Sequence, residues 1–270
     1  MNSNREEIDY SAFVETAQKA ARAAGEVLTQ WLGRASVTEK GPGDYVTQAD
    51  LDSQRVIHSI IHAIHPSHGF LGEEDAPKDL KLAMNEMEYC WIVDPLDGTT
   101  NYIHQLNSFS VSIALLHRGR IVMGTVFDPI LNEMYSASLG MGATLNNQPI
   151  HVSPCTNLDH SLLVCSFSRQ VERNSLELKR FLNVLCHTQS SLRRLGSAAL
   201  NLAYVAAGRL DGYWATSLKV WDMAAGAIIL TEAGGVIQHI DLKPLDLCDP
   251  QFLATNNQRM QEQIGSWLQV

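Results

Sequence analysis

The chain has 270 residues, of which 45% are apolar, and this length lies near the upper limit for one hydrophobic core. It carries 20 Lys and Arg against 29 Asp and Glu, and the formal charge of −9 repels nucleic acid and anionic lipid headgroups. No stretch reaches the roughly 20 continuous apolar residues of a membrane helix, and residues 1–7 lack the basic head and apolar run of a secretory signal. We therefore expect a cytoplasmic protein without membrane or general nucleic-acid partners.

The first half of the chain is predicted to combine helices with an antiparallel meander. Apolar residues recur at three- and four-residue steps over residues 10–31, which predicts a helix that Gly33 ends. Isoleucines over residues 57–64 predict a second helix, and Pro66 follows it closely. Between residues 109 and 137 apolar and polar residues alternate, which predicts strands that fold back on one another.

In the second half, strands and helices alternate along the chain. Strands are predicted over residues 162–167, 212–215, 236–240 and 252–255, and helices over residues 176–185, 197–207, 223–233 and 260–268. Such alternation is typical of a layered α/β lobe. We therefore expect an α+β lobe over residues 1–153 and an α/β lobe over residues 154–270.

The most informative stretch begins where an apolar strand, residues 91–93, runs directly into Asp94 and then, three positions later, Asp97. Asp-Pro and Asp-Gly are ordinary turn residues, so a simple turn is the alternative explanation. Two carboxylates and the Leu96 carbonyl at one strand end, however, are hard oxygen ligands, which suit Mg²⁺ better than zinc. The spacing therefore favours a magnesium site.

The residues after Asp97 are typical of an anion site. Gly98 permits a sharp turn, and Thr99 and Thr100 can begin a helix. The free N–H groups of a helix N-terminus favour an anion such as phosphate. The stretch therefore predicts carboxylates and an anion cradle in the same place.

Two further segments place acids at the ends of predicted elements. Residues 69–75 predict a short strand that ends in three consecutive acids, Glu73, Glu74 and Asp75, although a charge run of this kind is also typical of a solvated loop. Asp222 opens a predicted helix, where an acid often serves only as a cap. Each segment by itself is compatible with a purely structural role.

Together, these segments resemble the three signatures of the inositol monophosphatase family, the lithium-sensitive, Mg²⁺-dependent phosphatases. The signatures match residues 72–74, residues 94–101, and Trp221-Asp222 followed by residues 232–235, in this order along nearly the whole chain. The resemblance implies an α+β to α/β fold, a layered α-β-α-β-α sandwich of the inositol monophosphatase or sugar phosphatase type. It also implies a homodimer.

The resemblance implies metal ligands as well. One Mg²⁺ would be bound by Glu73, Asp94 and the Leu96 carbonyl, and a second by Asp94, Asp97 and Asp222. Four clustered carboxylates repel a phosphate dianion, whereas two Mg²⁺ ions offset that charge and clamp the phosphate during displacement. We expect two or three ions, with most ligands in the first lobe and Asp222 completing the site from the second.

Roles in catalysis and substrate binding follow from the same resemblance. Thr99 would orient the attacking water, with Asp50 and Glu73 as the supporting acids, although Asp50 is also typical of a helix cap. The substrate or phosphate contacts would come from Lys40, Gly98, Thr99, Thr100, Gly196, Ala198 and Asp222. An ordinary surface lysine is the alternative for Lys40, and a plain capped helix is the alternative for residues 194–199.

One position departs from the family pattern. Seven residues before Asp222 the inositol phosphatases typically carry a glutamate that accepts hydrogen bonds from ring hydroxyls, whereas this chain has Ala215. The methyl group leaves room beside Trp214 and Trp221 for a flat base or a bulkier leaving group, unless both tryptophans belong to the core. The departure bears on inositol specificity and leaves the metal chemistry untouched.

We therefore expect a Mg²⁺-dependent phosphomonoesterase that hydrolyses a small hydroxylated phosphate ester by metal-activated water attack, with inositol 1-phosphate as the leading substrate. The alternatives within the family are an adenosine 3′,5′-bisphosphate 3′-phosphatase and another sugar phosphatase. The alternative of a different class is a regulatory binding protein that keeps the fold. The intact set of acids favours an enzyme, since a scaffold has no need to hold four acids together.

Overall fold

The structure, a computed structural model, describes residues 9–41, 43–77, 79–168, 171–173 and 175–270. The expectation about a secretory signal in residues 1–7 falls outside these ranges. Among the described residues, no helix combines the length and the apolar character needed to cross a membrane.

Eight α-helices form within the described ranges. They are α1 (Ser11–Trp31), α2 (Gln48–Ile64), α3 (Leu80–Glu86), α4 (Thr99–Ile103), α5 (Leu176–His187), α6 (Ala198–Ala206), α7 (Val220–Glu232) and α8 (Gln258–Leu268). The first helix ends ahead of Gly33 as predicted, and this glycine has a positive φ of 73°. The second helix begins well before its isoleucine stripe, because Thr47 and Asp50 form a capping box at its start.

The described strands form a two-stranded ribbon and two larger sheets. The ribbon pairs β1 (Val37–Gly41) with β2 (Asp44–Thr47). The seven-stranded sheet contains, side by side in chain order, β3 (Gly69–Gly72), β4 (Tyr89–Asp97), β5 (Ser110–His117), β6 (Arg120–Asp128), β7 (Glu133–Ser138), β8 (Ala143–Leu145) and β9 (Gln148–Ile150). In this sheet β3 runs parallel to β4, and the strands from β4 to β9 form the predicted antiparallel meander.

The five-stranded sheet has a mixed topology. It contains β10 (Leu162–Ser166), β11 (Ser191–Arg193), β12 (Gly212–Ala215), β13 (Val236–His239) and β14 (Phe252–Thr255), in the order β11-β10-β12-β14-β13. The strand β10 runs parallel to both β11 and β12, so these three strands end at the same edge of the sheet.

Three hydrophobic cores stack these elements into five layers. The first core packs α1 and α2 against one face of the seven-stranded sheet. The central core contains α6 and α7 and lies between the two sheets. The third core packs α5 and α8 against the far face of the five-stranded sheet. The α-β-α-β-α sandwich expected from the sequence is confirmed, whereas the lobe boundary at residue 153 stays a prediction.

The helix α7 packs closely against β6 and against α6, and each contact is made at a glycine. A Cβ atom added at Gly124 of β6 would lie 2.5 Å from the Ala225 carbonyl oxygen, and one added at Gly226 would lie 2.5 Å from the Cβ atom of Leu202 in α6. Neither position has room for a side chain, so the backbones approach closely. These contacts hold the helix whose first turn carries Asp222.

A stack of rings lies at the opposite end of β4 from its acids. The rings of His65, His68, Tyr89 and His117 follow one another with centroid separations of 4.7, 4.7 and 4.4 Å. The indole Nε1 of Trp91 donates a hydrogen bond to His68 Nδ1 at 3.1 Å. We call the four rings the ring stack. Desolvation by burial lowers the pKa of both His65 and His68, which favours their neutral forms.

Candidate active site

The candidate site is built around the carboxyl end of β4. The pairing of β4 with β5 is regular up to Asp94 and shifts before Asp97. Pro95 lies in this interval and has no N–H group to donate to the neighbouring strand. The strand therefore continues through both acids, and the Leu96 N–H donates to Asp94 Oδ1 at 2.9 Å instead of to β5.

Asp97 is held by the start of α6. Its carboxylate accepts hydrogen bonds from the N–H groups of Ala198 at 3.0 Å and Ala199 at 2.8 Å. The hydroxyls of Ser197 and Ser110 donate to the same carboxylate. The first N–H groups of a helix have no partner within the helix, so they stabilise an anion at this place.

Asp222 reaches the same point from α7. Its Oδ2 accepts a hydrogen bond from the Lys219 N–H at 2.7 Å, which places Asp222 in the first turn of the helix. Asp94, Asp97 and Asp222 each offer one carboxylate oxygen, and these oxygens all lie within 4.8 Å of one another. Three acids from two distant parts of the chain thus converge on a volume that one cation can occupy.

Glu73 joins this group through the neighbouring strand. Gly72 of β3 pairs with Val93 of β4, so the residue after β3 lies beside Asp94. The carboxyl groups of Glu73 and Asp94 interact by a hydrogen bond. Burial together with the charges of Asp222 and Glu74 raises the pKa of Glu73 to about 8.

Burial raises the pKa values of the other acids of the cluster as well, and neighbouring carboxylates add to the shift for Asp94 and Asp222. Burial, followed by the neighbouring carboxylates, raises the pKa of Asp94 well above its ordinary value, and burial with the charge of Asp97 raises the pKa of Asp222 to about 7. Burial also raises the pKa of Asp97, although hydrogen bonds from Ser197 and α6 oppose the shift. Oxygen ligands that repel one another fit a divalent cation such as Mg²⁺, because two positive charges would offset their repulsion.

Asp50 and Thr99 meet on the α2 side of the site. The Thr47 N–H and hydroxyl both donate to Asp50 Oδ2, at 2.8 and 2.6 Å, which is the cap geometry considered as the alternative for this acid. The other oxygen, Oδ1, lies 3.4 Å from Thr99 Oγ1, and the same hydroxyl lies 3.1 Å from the Leu96 carbonyl oxygen. Asp50 therefore caps α2 and also faces Thr99. Burial raises its pKa to about 6.

The predicted turn and helix start follow Asp97 directly. Gly98 has a positive φ of 96°, and a Cβ atom there would lie 3.0 Å from the Ser108 carbonyl oxygen. The helix α4 begins at Thr99, as predicted, and Thr100 is exposed on its first turn. The backbone N–H groups of this turn are thus brought beside the acids.

The loop before α6 is tied to α4 by Asn101. The Asn101 side chain donates to the carbonyl oxygens of Ser108 and Leu195, both at 2.7 Å. Gly196 has a positive φ of 97°, and an added Cβ atom would lie 2.4 Å from Asn101 Nδ2, so this position requires glycine. The Ala198 N–H already donates to Asp97, so a substrate contact at Ala198, which stays a prediction, would use another backbone group. A substrate contact at Gly196 stays a prediction.

Comparison with known proteins agrees with this geometry. The family model of the inositol monophosphatase family matches residues 9–269. The chain belongs to the inositol monophosphatase family. The family is in general Mg²⁺-dependent, in keeping with the cluster of acids.

The relatives within the inositol monophosphatase family carry two kinds of name. A Synechocystis protein named inositol-1-monophosphatase is 41% identical over 260 residues, which cover 94% of this chain and 88% of that protein. A Pseudomonas aeruginosa protein named Nus factor SuhB is 40% identical, over 82% of this chain and 83% of that protein. The crystal structure of the extragenic suppressor protein suhB from Bartonella henselae has a TM-score of 0.87 and 35% identity, over 96% of this chain and 98% of that chain.

Lys40 approaches the cluster of acids through an ion pair with Glu74. Its Nζ lies 2.6 Å from Glu74 Oε2, and the Glu74 side chain is only 4% exposed. The charge of Lys40 also lowers the pKa of Glu73, against the larger effects that raise it. The lysine therefore lies beside the site on the β1–β2 ribbon, and Glu74 is the side chain that holds it there.

The surroundings of Ala215 correct one expectation. Ala215 is fully buried and pairs with Phe252 across the sheet, so its methyl group does not line an open cavity. Trp214 points to the other face of β12, into the third core, and Trp221 is buried in the central core. Both tryptophans are core residues, and the expected room beside them for a flat base is absent. A glutamate at residue 215 would bury a carboxylate.

Four site residues were missed or left without a role by the sequence analysis. They are Asn101, Ser110, Ser197 and Lys219, which bind either an acid or the loop before α6. A signal existed for two of them, since Asn101 closes the second signature and a serine before an alanine-rich helix is a good N-cap. Ser110 and Lys219 act on acids that are distant in sequence or reached only by a backbone N–H group, and no spacing reveals such contacts.

Proposed function

We propose that the protein is a Mg²⁺-dependent phosphomonoesterase that hydrolyses a small hydroxylated phosphate ester, with inositol 1-phosphate as the first candidate substrate. The convergence of Asp94, Asp97 and Asp222 within 4.8 Å carries this proposal, because it supplies a divalent-cation site beside a helix start. Membership of a phosphatase family supports the same reaction class.

The metal ligands are proposed as Glu73, Asp94, the Leu96 carbonyl, Asp97 and Asp222, for two or three ions. When bound, Mg²⁺ supplies positive charge that offsets these carboxylates, polarises the phosphate and activates water. The Ala198 and Ala199 N–H groups hold Asp97 in one orientation, so this ligand is fixed before any cation arrives.

Thr99 and Asp50 are proposed to orient the attacking water. Above the Asp50 pKa of about 6, its ionised Oδ1 accepts a hydrogen bond from the Thr99 hydroxyl, and a lone pair of Thr99 Oγ1 accepts a hydrogen bond from the water. Glu73 lies beside Asp94 and is the second candidate acid for this water. Thr99 and Asp50 would orient the water rather than take its proton. With one water proton held by Thr99 Oγ1, a lone pair of the water oxygen can point at the phosphorus.

The phosphate group is proposed to bind where α4 begins. The N–H groups of Gly98, Thr99 and Thr100 precede the first hydrogen-bonded turn and favour an anion. Lys40 adds a positive charge on the ribbon side. Gly196 and Asp222 remain the candidates for contacts with the alcohol part of the ester.

A phosphate-release panel tests the proposal. Inositol 1-phosphate, fructose 1,6-bisphosphate, histidinol phosphate and adenosine 3′,5′-bisphosphate are incubated with the protein, with and without Mg²⁺. We expect Mg²⁺-dependent release that is greatest with inositol 1-phosphate, and inhibition by millimolar lithium that competes with the metal rather than with the substrate. Greatest release from adenosine 3′,5′-bisphosphate or another sugar phosphate would select the alternative within the family. Absence of release from every ester would exclude the enzyme proposal.

A second candidate function is a regulatory binding protein that keeps the fold. The name Nus factor SuhB of the Pseudomonas relative favours it as an additional role. A variant without the metal ligand Asp94 separates the two, because a purely regulatory role would survive that change. We further propose a cytoplasmic homodimer without a membrane partner, for which the molecular mass in dilute solution is the measurement.

A further inference from the structure

Two loops of the five-stranded sheet run side by side next to the candidate site. The parallel strands β10 and β12 are neighbours, and Ser166 at the end of one pairs with Ala215 at the end of the other. The Thr216 N–H then donates to the Ser166 carbonyl oxygen at 3.2 Å, so the chains stay adjacent beyond the strands. The loop after β12 continues to Asp222.

One carboxylate joins these loops. Glu177, in the first turn of α5, accepts hydrogen bonds at Oε1 from the Ser168 N–H at 3.0 Å and from the Thr216 hydroxyl at 2.5 Å. Its Oε2 accepts the Ser168 hydroxyl at 2.7 Å. Burial alone would raise the pKa of Glu177, yet these hydrogen bonds hold it below its ordinary value, so the carboxylate is ionised at neutral pH.

The ends of β10 and β12 carry the polar side chains of Ser166 and Thr216 and lie close to the acids. We call these two strand ends, with Ala215 between the two side chains, the wall. The Tyr213 hydroxyl donates to Ser166 Oγ at 3.0 Å, and the charges of Asp97 and Asp222 act on that same tyrosine. Ser166 Oγ is therefore hydrogen-bonded to a tyrosine whose pKa is raised by burial and by the charges of two proposed metal ligands, Asp97 and Asp222. Because Ser166 Oγ accepts a hydrogen bond from the tyrosine, the Ser166 hydroxyl can still donate its own proton. Ser166 is only half-buried, so a ligand can reach this hydroxyl.

Hydrogen-bond capacity on this wall suits an alcohol with several hydroxyl groups. Ser166 offers a donor, and Thr216, whose proton is directed to Glu177, offers its oxygen as an acceptor. Ala215 between them contributes no polar group. In a closed complex, a plain aromatic or alkyl alcohol would leave the Ser166 proton and the free lone pair of Thr216 Oγ1 without a partner, whereas a polyol would pair with both.

We propose that Glu177 is a positioning residue for substrate specificity: it fixes the loops after β10 and β12 so that Ser166 and Thr216 present their hydroxyls to a polyhydroxylated leaving alcohol. The inference rests on the proposed phosphatase function and adds the group that selects the alcohol. Within the described ranges, the hydrogen bonds of the Glu177 carboxylate go to Ser168 and Thr216, so its effect belongs to binding of the alcohol.

The test compares two esters of the same phosphate in wild type, Glu177→Gln and Thr216→Val. Inositol 1-phosphate carries a polyol, and phenyl phosphate carries a plain aromatic alcohol. We expect both variants to lower the ratio of kcat/KM for inositol 1-phosphate to kcat/KM for phenyl phosphate by about 10-fold, mainly through KM. The same ratio should stay unchanged in Glu172→Gln, which removes an exposed carboxylate just before α5.

Several outcomes would overturn the inference. An equal loss on both esters in Thr216→Val would mean that the loops support the metal site generally, and an unchanged ratio would mean that this wall does not meet the alcohol. Thr216→Val keeps the side-chain shape, so it decides the matter if Glu177→Gln does not fold. Wild-type protein that releases phosphate from neither ester with Mg²⁺ would instead remove the proposed function, and the inference with it.

Discussion

The two ends of β4 collect ionisable side chains in opposite ways. At its start, His65 and His68 of the ring stack are half-buried, desolvation lowers their pKa values, and Thr16 and Trp91 are their hydrogen-bond partners. At its end, buried carboxylates face one another with raised pKa values. The first end is stable without a ligand, because its groups pair and stack.

The difference separates a structural cluster from a functional one. Neutral rings lose little by desolvation and gain from contact with each other, whereas clustered carboxylates gain only when positive charge arrives. Perturbed pKa values occur at both ends, so a perturbed value alone does not identify the active site. The decisive property is repulsion between like groups that share one volume.

The largest expected effect comes from making the acid end less repulsive. Asp94→Asn removes the acid proposed to bridge two ions, so we expect phosphate release to fall at least about 100-fold and Mg²⁺ affinity to drop. The same change should raise the melting temperature of the metal-free protein, because it removes a buried repulsion. The measurements are phosphate release at saturating Mg²⁺ and thermal unfolding with a chelator.

Asp128→Asn is the matched control for this variant, because Asp128 is a buried acid that caps the turn after β6 and lies outside the site. Its activity should stay within about twofold of wild type. Normal turnover by Asp94→Asn at saturating Mg²⁺ would contradict the two-ion assignment.

A change of pH sharpens the comparison at the acid end. In the metal-free protein, the pKa values of about 8 for Glu73 and about 7 for Asp222 lie above those of an unfolded chain, so the folded state binds more protons and its stability falls as the pH rises through this range. Mg²⁺ requires the ionised forms, so its affinity should rise about 10-fold or more between pH 6.5 and 8.5. Calorimetric titration at pH 7 in two buffers of different ionisation enthalpy should record net proton release, and a heat independent of the buffer would refute it.

A smaller effect is expected from the ion pair beside the acids. Glu74→Gln weakens the hold on Lys40 but leaves the proposed metal ligands in place, so kcat/KM should fall about 3- to 10-fold, much less than for Asp94→Asn. Lys40→Met should cause a similar loss, and the double variant should lose little more than either single one. Fully additive losses would show that the two side chains act independently.

The smallest effect on activity is expected at the ring stack. His68→Leu leaves the buried Trp91 N–H without its acceptor, which should lower the free energy of unfolding by about 1 to 3 kcal/mol. Phosphate release per folded molecule should not change, since the stack lies at the far end of the strand from the acids. The control is His62→Leu on the exposed face of α2, which should change neither quantity. A loss of turnover in His68→Leu with stability intact would link the two ends.

Sequence patterns predicted the elements and the acids better than the contacts between them. The apolar period located α1, because burial of one face imposes that period. Continuous apolar runs located α7 and the strand before Asp94, because both elements are buried on all sides. Nothing in the spacing predicts that Ser197 would donate to Asp97, since the two are brought together by packing of α6 against the sheet. The ring stack was missed for the same reason, because its four rings come from three separate segments.

The glycines under α7 have a consequence for how accurately the site is assembled. With no side chain at Gly124 or Gly226, the backbone of α7 packs directly on β6 at Gly124, and the Leu202 side chain of α6 packs directly on α7 at Gly226. This close packing fixes the position of α7, and so the distance at which Asp222 lies from Asp94 and Asp97. The alignment of three charged side chains thus depends on closely packed, uncharged surfaces.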